Sequence, residues 1–194
     1  MKIAIGQTFF KDRLSKDEDL NKLYIIYPRF YDNKKLLLSN KGIGGYLLKL
    51  WSLKDKIEVA VYPDNIHYLL TVPKNLTYIY VIHNIDKDSE AYFALKKELN
   101  LIVGYASGKE YRNYTIEEFI ERFKDQQKWY LGISTKWELR EAVKYRFEYA
   151  DITLMALGSF KDLRQYERVK ELLFKFYQLA NDLEKQTKIE EFRT

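Results

Sequence analysis

The chain has 194 residues, of which 46% are hydrophobic and 31% are charged, and this fits a single globular domain over residues 1–194. It contains no cysteine and only two histidines, so a disulfide scaffold and thiol catalysis are excluded and no zinc site is expected. The net charge of +5 permits a polyanionic partner without requiring one. No apolar run approaches the ~20 residues of a membrane span and no secretory signal precedes the first polar residues. We therefore expect a cytoplasmic protein without a membrane partner.

The basic surplus lies near the N-terminus, where residues 1–56 hold 12 Lys and Arg against 6 Asp and Glu. Such a surplus could contact the phosphates of a nucleic acid, with Lys34, Lys35 and Lys41 among the contacting residues. Arg112 is a further candidate, because tyrosines and tryptophans around it could stack on bases. Solvated lysines on an ordinary protein surface would explain the same surplus.

Six short apolar runs, rich in β-branched and aromatic residues, predict strands over 23–27, 57–62, 78–82, 101–105, 129–133 and 152–157. Most are apolar almost throughout, which is typical of parallel strands that are buried on both faces. Helical patterns lie between them, and this alternation predicts an α/β fold with a mostly parallel sheet. Either a partial or reduced (β/α) barrel of the TIM type or an open layered sheet satisfies the pattern.

Three of the predicted helices have recognisable starts. Thr115 with Glu118, and Thr135 with Glu138, have the spacing of a capping box. Asp88 could cap a third helix that begins at the next residue and ends near residue 99. Apolar positions then recur at threes and fours over 162–185, which predicts one long C-terminal helix. We favour its packing across the sheet, and the alternative is a homodimer contact.

Ligands of parallel α/β folds bind at the carboxyl ends of the strands, and polar residues follow several predicted strands. Asp64 follows strand 57–62, and His83 and Asp86 follow strand 78–82. These carboxylates and the imidazole could act as general acids or bases. Asp151 directly precedes the predicted strand 152–157, which places it at the opposite end, where a turn or cap role is the default.

The pair Asp86 and Asp88 permits a different chemistry. Two carboxylates after a strand could hold Mg²⁺ or Mn²⁺ against a diphosphate, as in nucleotide-sugar transferases. The helix-capping role of Asp88 is the simpler explanation, and no metal ligands are assigned.

About half of the chain resembles the later half of the barrel in the queuine and archaeosine tRNA-guanine transglycosylases. Tyr80-Val81-Ile82-His83-Asn84-Ile85-Asp86 is similar to the family strand that ends in a base-recognising aspartate, and Leu101-Ile102-Val103-Gly104 resembles the next strand. Trp129-Tyr130-Leu131-Gly132-Ile133 is similar to the Ile-Gly-Gly strand of the family, with isoleucine in place of the second glycine. Leu154-Met155-Ala156-Leu157-Gly158-Ser159-Phe160-Lys161-Asp162-Leu163 resembles the Leu-Met-Gly-Val-Gly-Ser-Pro-Glu-Asp-Leu segment.

This resemblance implies a trimmed barrel, since a complete one typically needs ~250 residues. It also implies a nucleic-acid- or nucleotide-binding protein, with tRNA or DNA as partner and glycosyl or base transfer as activity. Asp151 falls near the nucleophilic aspartate of the family in one of two alignments, so the implied catalytic residues are Asp64, His83, Asp86 and Asp151. The zinc cysteines of the family are absent, and the required cofactor stays unknown. A metal-dependent nucleotide-sugar transferase and a non-enzymatic protein that dimerises through its C-terminal helix remain the alternatives.

Overall fold

A computed structural model describes residues 1–32, 34, 41–158 and 162–191 of the chain. The strands of this part are β1 (Lys2–Ile5), β2 (Tyr24–Ile26), β3 (Phe30–Tyr31), β4 (Val59–Val61), β5 (Thr77–Ile82), β6 (Asn100–Ala106), β7 (Lys128–Ile133) and β8 (Tyr149–Ile152). They form one sheet in the order β2-β1-β8-β7-β6-β5-β4-β3, and every neighbouring pair is parallel. The predicted α/β fold with a parallel, nearly barrel-shaped sheet is confirmed.

The described helices are α1 (Lys11–Leu14), α2 (Glu18–Leu23), α3 (Gly42–Leu53), α4 (Ile85–Leu95), α5 (Ile116–Arg122), α6 (Lys136–Lys144) and α7 (Tyr166–Glu191). Both predicted capping boxes are confirmed, at Thr115 with Glu118 and at Thr135 with Glu138. The long C-terminal helix is also confirmed as α7, and a short 3₁₀ turn, Asp162–Arg164, precedes it where the helix was expected to begin.

The predicted boundaries of one strand and one further helix were also wrong. The strand expected over 152–157 is β8, which ends at Ile152, and Leu154–Leu157 form a 3₁₀ turn. The apolar run at 152–157 starts after most of the strand has passed, because the polar residue Asp151 lies inside the strand. The helix expected to begin after Asp88 begins at Ile85, because the side chain of Asn84 accepts hydrogen bonds from the amides of the first turn and makes Asn84 the N-cap.

The two edges of the sheet belong to one continuous stretch of backbone. β2 pairs with β1 and β3 pairs with β4, yet only three residues separate β2 from β3. The amide of Tyr27 still donates to the carbonyl of Ile5 at 2.9 Å, whereas the carbonyl of Arg29 already accepts from the amides of Glu58 and Val59. Residues 24–31 thus act as one interrupted strand that joins β1 to β4. The barrel has seven strand positions, and no helix is needed between β2 and β3.

A stacked pair of rings shows how strongly the sheet is curved. Phe30 on β3 and Trp129 on β7 have ring centroids 5.2 Å apart, although four strand spacings separate β3 from β7 in the sheet order. In a flat sheet those strands would lie about 19 Å apart. The sheet must therefore curl until the two side chains meet inside it.

Alternate residues of the strands fill this interior. A separate buried cluster consists of Ala4, Phe30, Val59, Val61, Ile79, Ile102 and Trp129. Gly104 lies among them, and a methyl group there would be 2.8 Å from Cγ2 of Ile79 and 2.9 Å from Cδ1 of Leu131. At this position the interior is packed too closely to accept one additional carbon atom.

The other face of the sheet packs against the helices. On α7 the buried stripe consists of Val169, Leu173, Phe176 and Ala180, and the hydroxyl of Tyr24 donates to the carbonyl of Leu173 at 2.6 Å. The favoured packing role of this helix is therefore observed, and a homodimer through it stays a prediction. Among the described helices, none is long and apolar enough to cross a bilayer.

Removing the ring of Phe30 should destabilise the closed barrel. We expect Phe30→Ala to lower the free energy of unfolding by about 3–5 kcal/mol, because it leaves a cavity against Trp129. The matched control is Phe9→Ala, whose ring is 87% exposed and whose effect should stay within about 0.5 kcal/mol. Urea denaturation followed by circular dichroism measures both, and equal effects of the two substitutions would contradict the curled interior.

Candidate active site

Polar side chains occupy the carboxyl end of the barrel, directly above the apolar interior. Successive side chains of a strand point to opposite faces, so a residue two positions after an interior residue points the same way. Asp32, His83 and Asp151 each stand two positions after a side chain of the interior face, namely Phe30, Val81 and Tyr149. The mouth defined by these residues and Asp64 is the candidate site.

Asp151 is the most enclosed of the four. Its carboxylate Oδ1 accepts a hydrogen bond from Nε1 of Trp129 at 2.8 Å and another from the amide of Gly132 at 3.2 Å. A register shift between β7 and β8 and a positive φ of 73° at Gly132 bring that amide to the carboxylate. Burial nevertheless dominates and raises the pKa of Asp151 to about 7, and the negative charge of Asp32 acts in the same direction.

Asp151 and Asp32 line a shared cavity of about 470 Å³ together with Gln7, Thr8, Lys34 and Thr153. Burial raises the pKa of Asp32, the neighbouring charge of Asp64 raises it further, and the ammonium of Lys34 opposes both. Sequence reasoning missed Asp32 because β3 has only two residues. The signal that could have found it is its position two residues after Phe30.

His83 and Asp64 form the other side of the mouth. Nδ1 of His83 lies 2.8 Å from the carbonyl oxygen of Tyr111, and since a carbonyl only accepts, Nδ1 carries a proton. Nε2 then faces Oδ1 of Asp64 at 3.5 Å, an ion-pair distance. Asp64 is accordingly the largest cause that raises the pKa of His83, while partial burial of the ring opposes it.

Asp86 does not join this cluster. Its side chain is 80% exposed on the first turn of α4, and its carboxylate lies 3.4 Å from the guanidinium of Arg122. Asp88 is buried instead, and its Oδ2 accepts from the amides of His83 and Asn84, each at 2.7 Å. Asp88 thus positions the backbone of His83, and the two aspartates face different surroundings. Within the described ranges, no group of three or more acidic or histidine side chains could hold a metal ion.

The predicted phosphate-binding residues lie in several places. Nζ of Lys34 is 5.3 Å from the ring centroid of Tyr111 at the mouth, and the guanidinium of Arg112 lies over the ring of Tyr105 at 4.7 Å. Lys41 is exposed at the start of α3, and Lys35 lies outside the described residues. The turn around Tyr111 therefore separates Lys34 from Arg112.

The aromatic residues near Arg112 divide into two groups. Tyr105, Tyr114 and Trp129 are buried, and Trp129 lies in the apolar run 129–133 that predicts a buried strand. Trp137 and Tyr111 are 62% and 56% exposed, so these two remain available for stacking on a ligand.

Asp151 should make the stability of the protein depend on pH. The folded protein holds a proton on Asp151 at pH values where the unfolded chain has already lost it, so raising the pH from about 4 to about 7 favours unfolding. The isosteric Asp151→Asn substitution removes this penalty. We expect it to increase the free energy of unfolding at about pH 8 by on the order of 4 kcal/mol, and to have little effect near pH 4.

Denaturant unfolding of both proteins across this pH range measures the difference. A constant difference between wild type and variant at all pH values would contradict the raised pKa. Asp86→Asn, at the exposed site on α4, serves as the control and should leave the pH profile unchanged.

The chain is similar to a viral protein. Uncharacterized protein ORF192 of Acidianus two-tailed virus is 37% identical to this chain over 179 residues, which cover 88% of this chain and 88% of that protein. No family model and no solved structure matches the chain. Because the similarity extends over nearly the whole of both sequences, the chain belongs to the same protein family as ORF192 of Acidianus two-tailed virus.

Proposed function

We propose that the protein is an enzyme that uses the aspartates and the histidine at the barrel mouth for acid–base catalysis on the glycosidic bond of a nucleoside or nucleotide. The observation that carries this proposal is the convergence of Asp32, Asp64, His83 and Asp151 at the mouth, where burial encloses Asp151 and raises its pKa to about 7. A buried carboxyl group beside a more exposed one is a usual arrangement for a general acid beside a general base.

The enclosed position of Asp151 and the more exposed position of Asp64 suggest distinct roles. Protonated Asp151 would donate its proton to the leaving base as the bond between the sugar C1′ and the base nitrogen breaks, with the bonding electrons leaving on the base. A water or acceptor hydroxyl would then add to C1′ and give up its proton to a carboxylate such as Asp64. Asp151 would regain a proton from solvent, which completes either hydrolysis or transfer.

Two features favour a nucleotide or nucleic acid as substrate over a neutral glycoside. Lys34 lines the same cavity as Asp32 and Asp151 and could contact a phosphate. The strands around the mouth also resemble those of tRNA-guanine transglycosylases. This resemblance implies tRNA or DNA as the substrate of the present protein. Asp86 is 80% exposed and Asp88 is held by backbone amides, so a metal-dependent nucleotide-sugar transferase has less support.

The test is base release from four ribonucleosides, their 5′-monophosphates, tRNA and single-stranded DNA, with chromatography of the products. We expect release from at least one of these, with a rate that falls as the pH rises through about 7. Asp151→Asn should slow it by about 10²–10⁴-fold, because the proton donor is lost. Asp86→Asn should leave it unchanged. Failure of the wild type to bind or cleave any of them, or full activity of Asp151→Asn, would overturn the proposal.

A further inference from the structure

A second cavity, of about 780 Å³, opens on the outside of the barrel between the β6–α5 connection and α6. Its volume lies in the range of small-molecule sites. Trp137, Arg140 and Lys144 stand three and four residues apart on α6 and form one wall, and Lys109 and Arg112 belong to the opposite wall. We call this cavity the α6 groove.

The carboxylates of the α6 groove are already engaged by protein donors. Glu141 Oε2 accepts from the hydroxyl of Tyr130 at 2.7 Å, and Glu118 Oε2 accepts from the amide of Thr115 at the same distance. Glu117 accepts from the hydroxyl of Tyr145, which links the end of α6 to α5. These hydrogen bonds orient the acidic groups toward the protein.

Aromatic rings contact two of the cations in the groove, and Nζ of Lys144 lies 4.9 Å from the ring centroid of Tyr145. Within the part of the chain that the structure describes, Lys109, Arg112, Arg140 and Lys144 form no ion pair with a carboxylate. The guanidinium of Arg112 is held over the rings of Tyr105 and Tyr114 and donates to the Tyr105 hydroxyl. Its Nε is buried without a hydrogen-bond acceptor.

Trp137 adds an aromatic surface to these cations. Its side chain is 62% exposed, on a different face of α6 from the buried Leu139, Ala142 and Val143. An exposed indole flanked by guanidinium and ammonium groups is suited to a ligand that has both a planar ring and a negative charge.

We propose that the α6 groove binds a nucleoside phosphate, with the base on the indole of Trp137 and the phosphate among Arg140, Lys144 and Arg112. This site is separate from the barrel mouth and does not depend on the reaction proposed there. The turn Lys109–Tyr111 connects them, since the carbonyl of Tyr111 contacts His83 and Lys109 lines the groove. The bound unit is either a free nucleotide or one nucleotide of a single strand.

Fluorescence polarisation with a labelled adenine nucleotide and with a labelled 12-nucleotide single strand tests the proposal. We expect at least one probe to bind, and Trp137→Ala and Arg140→Glu each to weaken it about tenfold. The matched control is Trp51→Ala, at an exposed tryptophan on α3 outside the groove, which should change the affinity less than about twofold. Binding of the nucleotide identifies a free ligand, and binding of the strand alone identifies a strand site.

Asp151→Asn separates the two sites, because it changes the mouth and should leave groove binding within about twofold of wild type. Circular dichroism of each variant verifies that the fold is retained, and Arg140→Ala provides a milder change at the same position. Absence of binding by both probes, or unchanged affinity in Trp137→Ala and Arg140→Glu, would overturn the proposal. A loss of affinity in Asp151→Asn with none in Trp137→Ala would place the nucleotide in the mouth and would also overturn it.

Discussion

The backbone pairing of residues 24–31 is the constraint on which the rest of the barrel depends. This segment hydrogen-bonds to β1 at its start and to β4 at its end, so it satisfies two strands that would otherwise expose unpaired N–H and C=O groups. Because one segment serves both edges, the chain needs neither an eighth full strand nor a helix between β2 and β3. A closed barrel is thereby possible in 194 residues.

Closure also determines the chemistry of the mouth. Seven strand positions enclose a narrow interior, and Trp129 fills it by stacking on Phe30 and Tyr149. The indole N–H then meets the carboxylate of Asp151, which stands one layer above on the same face. The same packing removes water from that carboxylate, and the cost of burying its charge raises its pKa. The barrel core and the candidate site are therefore parts of one arrangement.

The longer elements could be predicted from the sequence because their signals are local. Strands such as β5 and β6 are continuous apolar runs, and the threonine caps of α5 and α6 satisfy helix amides within three residues. β1 and β3 could not be predicted in this way, because four and two residues give no periodicity. Their existence depends on pairing with strands far along the chain.

The site residues likewise divide into those whose position could be predicted from the local sequence and those whose position depends on distant residues. Asp64 and His83 directly follow predicted strands, and the structure brings them together at 3.5 Å. Asp86 also follows a strand, but the N-cap at Asn84 starts α4 three residues after β5 ends. Asp86 therefore lies in the first turn of this helix, with its side chain exposed to solvent. Asp151 was expected before its strand, but it lies within β8. The strand accommodates this aspartate because Trp129 and Gly132 donate hydrogen bonds to it. Those donors come from another strand and are invisible in the local sequence.

The most direct test of this account is the titration of the Asp151 carboxyl carbon by nuclear magnetic resonance. Selective ¹³C labelling of aspartate, with Asp151→Asn used to assign the resonance, follows the protonation of this one group across the pH range. A midpoint near 7 is the predicted result, since the carboxylate is enclosed above Trp129 and beside Asp32. A midpoint near 4, the value of a solvated aspartate, would contradict it.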